Sequence, residues 1–366
     1  MAARRGRWTL AVAALTIAAV PSVAMAQLTE RVVRIAPTLT SYKMSSPDSA
    51  ASLTQTAVPI FIAIPIGSKA SIDIGTAFGA SSATVDGRAA SINGLTDTQI
   101  RGSYALTDNV VFTLGLNAPT GKATISTSQL EIAGLLGTDL LGNAVPAYGS
   151  GLAITGGIAV GRQVGSWNVS GGASLRQATG FEPFDTGSVR FVPGSEYRAS
   201  LSGDREVGAG RLAIGVTAST FAGEKFGTTA TATGNRYLGQ AAWIGSLGDG
   251  RPDLVLSGWH LASGTGEYAG TTISSQQVTN LQAAVGFHLG EKTIEPTLEF
   301  RRWTAGENQR GTLSLLGVRT RIPVGGVTLF PGAAFGFGSL NHDLGAGAFG
   351  GSLTGFRLTL GMARTF

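Results

Sequence analysis

The segment Leu353–Phe366, LTGFRLTLGMARTF, decides how the rest of the chain is read. Phe356, Leu358, Leu360, Met362 and Phe366 share one parity, while Arg357, Thr359, Gly361, Ala363 and Thr365 share the other. Successive side chains of a strand point to opposite faces, so one face here is apolar and the other polar. A soluble sheet would give the same alternation, but it would not be expected to finish on an exposed phenylalanine.

Working outward, the same two-residue period recurs along the chain. Ile35 and Leu39 lie on one face of a predicted strand over 31–42, and Val58, Ile60, Ile62 and Ile64 mark one over 53–66. A strand over 70–80 sets Ile72, Ile74 and Phe78 against Asp73, and after a break at 81–96 the next runs over 97–106. Thr107-Asp108-Asn109 then turns into a strand carrying Val110, Phe112, Leu114 and Leu116. Short turns are expected at Gly67-Ser68, Gly165-Ser166, Gly208-Ala209, Gly248-Asp249-Gly250, Gly290-Glu291 and Gly325-Gly326. Longer breaks fall at 118–150, 180–195, 222–235, 263–275, 305–310 and 338–352. The count is about sixteen strands. Fourteen is the rival, because Pro37, Pro59 and Pro65 cannot donate to a ladder. No fixed-period repeat is present.

Composition agrees with strands that face lipid. The chain has 366 residues with 54 glycines, 13% charged residues and no cysteine. The last point excludes a disulfide framework, a thiolate metal site and a lipidated N-terminal cysteine. No later apolar run is long enough for a membrane helix, although the mean hydropathy is positive. Arg4, Arg5 and Arg7, the apolar stretch 10–20 and Ala24-Met25-Ala26 form the three regions of a secretory signal peptide over residues 1–26, with a mature domain over 27–366. Its removal lowers the formal charge from +5 to +2. The basic balance therefore gives no argument for nucleic acid.

Thr359-x-Gly361-x-x-x-x-Phe366 resembles the C-terminal assembly signal of Gram-negative outer-membrane β-barrels, polar-x-Gly-x-x-aromatic-x-aromatic, with Arg364 replacing the first aromatic. The resemblance implies an all-β fold, a transmembrane antiparallel barrel with short periplasmic turns and long external loops. It also implies the outer membrane as location, with its lipid and the barrel assembly machinery as partners. A barrel closes its own backbone bonds, which hydrocarbon cannot satisfy. Tyr42, Phe61, Trp167, Tyr197, Trp243 and Phe366 are candidates for the interfacial aromatic girdles.

If the apolar parity faces lipid, the other lines the lumen. Arg34, Arg101, Arg176, Arg198, Arg236, Arg301, Arg319, Arg321 and Arg357 fall there, against Asp73, Asp204, Glu295 and Glu299. Such a wall either favours anions or is neutralised by pairing, for example of Glu299 with an arginine of the next strand. The longest break holds SQLEIAGLLGTDLL at 128–141, where helical spacing replaces the period of two. A short amphipathic helix is expected there, with Leu130, Glu131, Leu135, Leu136 and Asp139 as a candidate constriction or ligand loop. Packing on the rim with no specific role is the plain alternative.

Other chemistry is not indicated. His260, His288 and His342 show no metal-ligand spacing, His342-Asp343 is the only adjacent pair of its kind, and no Ser, His and acid set is evident. Gly345-x-Gly347-x-x-Gly350 precedes a strand and not a helix, which removes its nucleotide reading. Pro119-Thr120-Gly121-Lys122 lacks the spacing and hydroxyl of a phosphate loop. No cofactor and no enzyme activity are expected. The run Asn117–Lys122 after Thr107-Asp108-Asn109 resembles a segment of outer-membrane transporters for hydrophobic compounds, including the fatty-acid transporter-like group, although a mature N-terminus expected to enter a strand within a few residues leaves no obvious room for the lumen-filling hatch of the fatty-acid transporters proper. The sequence therefore points to passive passage of a small-molecule solute: apolar compounds by way of the third external loop, or anions through an open basic pore. A structural or adhesive barrel is the further alternative, and a homo-oligomer is compatible with each.

Overall fold

Sixteen antiparallel strands close on themselves in the computed structural model, which describes residues 30–46, 49–187, 189–246, 248, 252–268, 270–343 and 348–366. The expected signal peptide lies outside the described residues. In chain order the strands are β1 (Val32–Ile35 and Thr38–Ser45), β2 (Ala50–Ile66), β3 (Ala70–Val85), β4 (Arg88–Leu95 and Thr98–Thr107) and β5 (Val110–Ala118). Then come β6 (Ala153–Val164), β7 (Trp167–Ala178), β8 (Ser195–Val207), β9 (Gly210–Ala222), β10 (Arg236–Ser246) and β11 (Asp253–Ser263). The last five are β12 (Gln276–Leu289), β13 (Lys292–Ala305), β14 (Gln309–Val324), β15 (Val327–Asp343) and β16 (Ala348–Thr365). Each pairs with the next, and β16 returns to β1 with Leu358 opposite Leu39 and Ala363 opposite Arg34. No helix of the described residues is long and apolar enough to cross a membrane.

Proline explains the interruption of β1. Ile35 pairs with Ile60 and Thr38 with Ala57, so the gap at Ala36–Pro37 falls opposite Val58–Pro59. The missing N–H groups of both prolines thus fall at one break, and their carbonyls still accept, from Leu360 and Ala36 respectively. Proline shapes this wall without removing a strand, and the count of fourteen is excluded.

The outward face carries the apolar parity: Leu114 is 65% exposed, Val216 58% and Phe335 57%. A belt of this kind is stable against hydrocarbon and not against water. Trp167, Tyr197, Trp243 and Phe366 share that parity. Arg205 lies over Trp167, Trp243 Nε1 donates to the Val207 carbonyl, and Arg364 lies 4.5 Å over the Phe366 ring. Tyr42 and Phe61 depart from the girdle expectation. Tyr42 is fully buried on the inner face, and Phe61 pairs with Arg34 and Gly75 on the inward parity.

Several expected breaks are shorter than the sequence suggests. The break at 81–96 is a continuation of β3, a two-residue turn at Asp86-Gly87 (φ 49° and 81°) and the first segment of β4. Successive positive φ values make a hairpin turn whose twist matches the strands, so small residues there need not signal a loop. The breaks at 305–310 and 338–352 likewise contract, because β13 and β14 meet across Gly306–Asn308 and β15 extends to Asp343.

Candidate functional site

The loop between β5 and β6 folds into the mouth of the barrel. A single 3-10 turn, Thr127–Gln129, leads into α1 (Leu130–Gly137), so the helix is shorter than the expected 128–141. Gln129 Oε1 accepts the Ser126 N–H at 3.1 Å, and Thr138 takes up extended geometry that ends the helix. Leu140 and Leu141 lie beyond it and yet are fully buried, together with Ile132, Leu135 and Leu136. These side chains pack on inward-facing apolar residues, among them Tyr42, Leu53, Val85, Trp303, Leu313 and Leu353. The inner wall of β12–β16 and β1–β4 is therefore apolar near the external rim, where the simple lipid-out, polar-in pattern predicts a polar surface.

Polar anchors fix the plug in position. Gln55 exchanges both amide groups with the Val145 backbone (2.8 and 3.0 Å), and Tyr42 Oη donates to the Leu141 carbonyl at 3.1 Å. Tyr148 is held by Ser81 and the Ile92 carbonyl. Burial pushes the Tyr148 phenol up. At the roots of the loop the Asp97 carboxylate accepts from Asn117, from the Gly121 N–H, and from the N–H and hydroxyl of Ser150. Asp97 reaches this place because β4 breaks at Thr96–Asp97, where the Thr96 hydroxyl takes over a ladder position from Ala77. Arg88 pairs with Glu131 at 2.8 Å on the rim.

The charged residues inside the barrel are largely paired. Arg101 bonds Asp73, Arg319 bonds Glu295, Arg211 bonds Asp204 and Arg198 bonds Glu196. Glu299 lies between Arg301 and Arg357. Arg301 is buried, lies 6.0 Å over the Trp259 ring and donates to the plug carbonyls of Asp139 and Leu140. Arg176 and Arg321 have no hydrogen bond or ion pair within the described residues, and Arg236 has only the Phe221 ring, 5.6 Å below it.

The apolar core of the plug leans on that one side, while its first residues bond the loop after β7, Thr124 donating to the Glu182 carbonyl and Ile125 exchanging backbone bonds with Pro183 and Asp185. Opposite it, the inward parity of β5–β9 carries Thr113, Gly115, Thr155, Gly157, Ser170, Ser174, Ser200, Ser202 and Thr217, together with the arginines of β7, β8 and β10. Asp139 is the acidic group that the plug exposes toward this wall, and both Arg236 and Arg301 pull on its charge. A concavity of about 1080 Å³ spans the same strands, but its bulky lining residues, such as Tyr104, Leu114, Leu175, Tyr197 and Tyr237, point outward. It belongs to the lipid-facing surface.

Of the residues singled out in the plug, Leu135 and Leu136 are buried, Leu130 and Asp139 are exposed, and Glu131 is tied to Arg88. Sequence reading missed Gln55, Asp97 and Glu196, which alternation places inward but does not mark as anchors, and Tyr148, which lies in the loop where no alternation operates. It also missed the contact of His288 with Asp253 (2.8 Å), which arises only when β11 and β12 pair.

A closed antiparallel barrel of sixteen strands with an outward apolar belt is the architecture of an outer-membrane β-barrel. Similar solved structures include OccK7 (OpdD) of Pseudomonas aeruginosa, with 12% identity, 92% of this chain and 100% of that chain covered and a TM-score of 0.45. The CymD monoaromatic hydrocarbon channel gives 10% identity, 94% and 91% coverage and a TM-score of 0.45. An anion-selective porin from Comamonas acidovorans gives 14% identity, 92% and 98% coverage and a TM-score of 0.42. Likeness at this level concerns the barrel alone. No protein-family model and no curated protein matches the sequence.

Proposed function

We propose that this protein is an outer-membrane channel that passes small water-soluble anions between its plug and the opposite arginine-bearing wall. One observation carries this reading: the apolar residues of the plug are buried against β12–β16 and β1–β4, whereas Arg176, Arg198 and Arg236 stay on the facing wall. Cationic side chains in a narrow passage lower the barrier for negative solutes. Sixteen strands enclose more space than side chains alone fill. In this reading Arg101, Arg319 and Arg321 line the passage below the plug, and Leu135, Leu136 and Asp139 belong to its constriction. Residues 1–26 direct export, and Thr359, Gly361 and Phe366 present the C-terminal strand to the assembly machinery.

The test is single-channel conductance of the refolded mature protein in a planar bilayer, with the reversal potential taken across a salt gradient. Steady steps with anion preference are expected. A cation-selective current, or silence from a barrel that is folded by heat-modifiable migration, overturns the reading.

A second reading, passage of apolar compounds, is favoured by one feature of the external loops. Phe181 stacks edge-on with Phe191 (5.7 Å), and Phe226 contacts both Phe184 (6.3 Å) and Tyr268 (4.9 Å), forming an aromatic cluster over the mouth. Uptake of a small aromatic hydrocarbon that falls on Phe226→Ser substitution, with ion current unchanged, would support it over the anion channel.

A further inference from the structure

Three arginines meet on the inner face near the external ends of β7–β10. Arg176 lies directly across from Glu196, Arg198 lies across from Ser174 and Ser219, and Ser219 lies across from Arg236. Neighbouring strands are about 4.8 Å apart, so these Cα positions span about 15 Å, and long flexible side chains from both ends reach a common centre.

Their pairing is uneven. Glu196 is buried and binds Arg198 through both Nε (3.1 Å) and Nη2 (2.7 Å), while Ser219 Oγ lies 3.3 Å from the same Nε. That fixes one guanidinium plane. Glu196 also feels the charge of Arg176, yet no ion pair forms between them. Arg236 extends over Phe221, and Asp139 on the plug lies in its field. One buried carboxylate therefore orients one arginine, and among the described residues two further guanidinium groups keep their donor edges free. Each such edge matches two oxygens of a carboxylate or phosphate.

We infer that Arg176, Arg198 and Arg236 form a binding site for a multivalent oxyanion, an organic polycarboxylate or a phosphate, in the gap facing Asp139. The inference rests on the channel reading above and names its solute class. Arg236 and Arg176 supply the forked donors, Arg198 is the prealigned third, and Phe221 gives a flat apolar support beneath Arg236. Asp139, an exposed plug anion in the field of Arg236, is the fixed charge with which a solute anion would compete.

Isothermal titration calorimetry of the refolded barrel in detergent, with citrate in one arm and inorganic phosphate in the other, tests the site without relying on current. Saturable binding in at least one arm is expected, and the arm that binds distinguishes the two oxyanion sources. Arg176→Ala and Arg236→Ala should each weaken it about tenfold, Arg236→Lys should weaken it less, and Asp139→Asn should strengthen it several-fold. Arg205→Ala removes the same charge from the outward face of β8, where Arg205 lies over Trp167, and should leave affinity unchanged. No saturable heat in either arm, or an equal loss for Arg205→Ala and Arg236→Ala in folded protein, overturns the inference. Anion-selective current without binding leaves the channel reading standing alone, whereas binding by a silent barrel removes that reading and keeps the site.

Discussion

Arg301 Nη1 donates to the backbone oxygens of Asp139 (3.1 Å) and Leu140 (3.0 Å), so a charge from β13 fastens the plug at the point where its helix has ended. The guanidinium is 7% exposed and also holds Glu299. Arg301→Met keeps the apolar stem but leaves two carbonyls and most of the Glu299 charge uncompensated. The expected cost is about 3–5 kcal/mol, the range for breaking a buried ion pair. Chemical unfolding in detergent measures it, and the channel should show noisier, larger steps as the plug loosens.

Gly142 follows that contact with φ +60°, and a Cβ there would run into the Arg301 guanidinium. Gly142→Ala combines a left-handed backbone with a displaced anchor, so it should destabilise by about 1 kcal/mol or more. The same substitution at Gly134, exposed on the plug helix with open space where a Cβ would lie, should stabilise slightly or leave stability unchanged. Equal losses at the two positions in a thermal unfolding assay would contradict this account.

Asp97 joins both roots of the plug, since it accepts from Gly121 on one side and Ser150 on the other. Asp97→Ala leaves backbone N–H groups without acceptors at a part-buried site, at about 1–3 kcal/mol for each group that water does not reach. The barrel wall itself should persist, because its ladder does not pass through this carboxylate. Limited proteolysis should therefore cut within 119–152 in the variant and spare the strands. Cleavage spread over the strands would show that Asp97 supports the wall instead.

Most of the wall was legible because alternation is a local property. The parity of Phe356, Leu358 and Leu360 is enough to place Arg357 inward, and the same step works for Arg101, Arg198, Arg301 and Arg319. Strand ends were less legible: Asp86-Gly87 reads as part of a loop, but positive φ values at both residues make it a tight turn. The plug was legible only as a helix. Burial of Leu135, Leu136, Leu140 and Leu141 depends on apolar inner-wall residues such as Leu53, Trp303 and Leu313, far away in sequence. Tyr42 illustrates the difficulty, since an aromatic residue near a strand end fits a lipid girdle equally well until Leu141 is brought to its hydroxyl.

Asp139 provides a pH dependence with a definite sign. Asp139 keeps an exposed edge in the lumen, but the protein packed around it thins the water on its carboxyl and raises it above the ordinary aspartate range, which outweighs the opposing pull of Arg236 and Arg301. The folded barrel therefore binds this proton more tightly than the unfolded chain does. The stability it contributes is complete below the unfolded value and is lost as pH rises through the folded one. Acidification through the same window also removes the acidic charge that the plug sets in the field of Arg236. Anion preference, read as reversal potential in a fixed salt gradient, should rise as pH falls, and it should begin to do so above the range in which an ordinary aspartate titrates. Asp139→Asn should show the acid-side selectivity already at neutral pH and lose that part of the pH response. A variant whose profile overlays the wild type would mean that Asp139 does not face the conducting path, and that the acidic partner of the arginine wall has to be sought elsewhere on the plug.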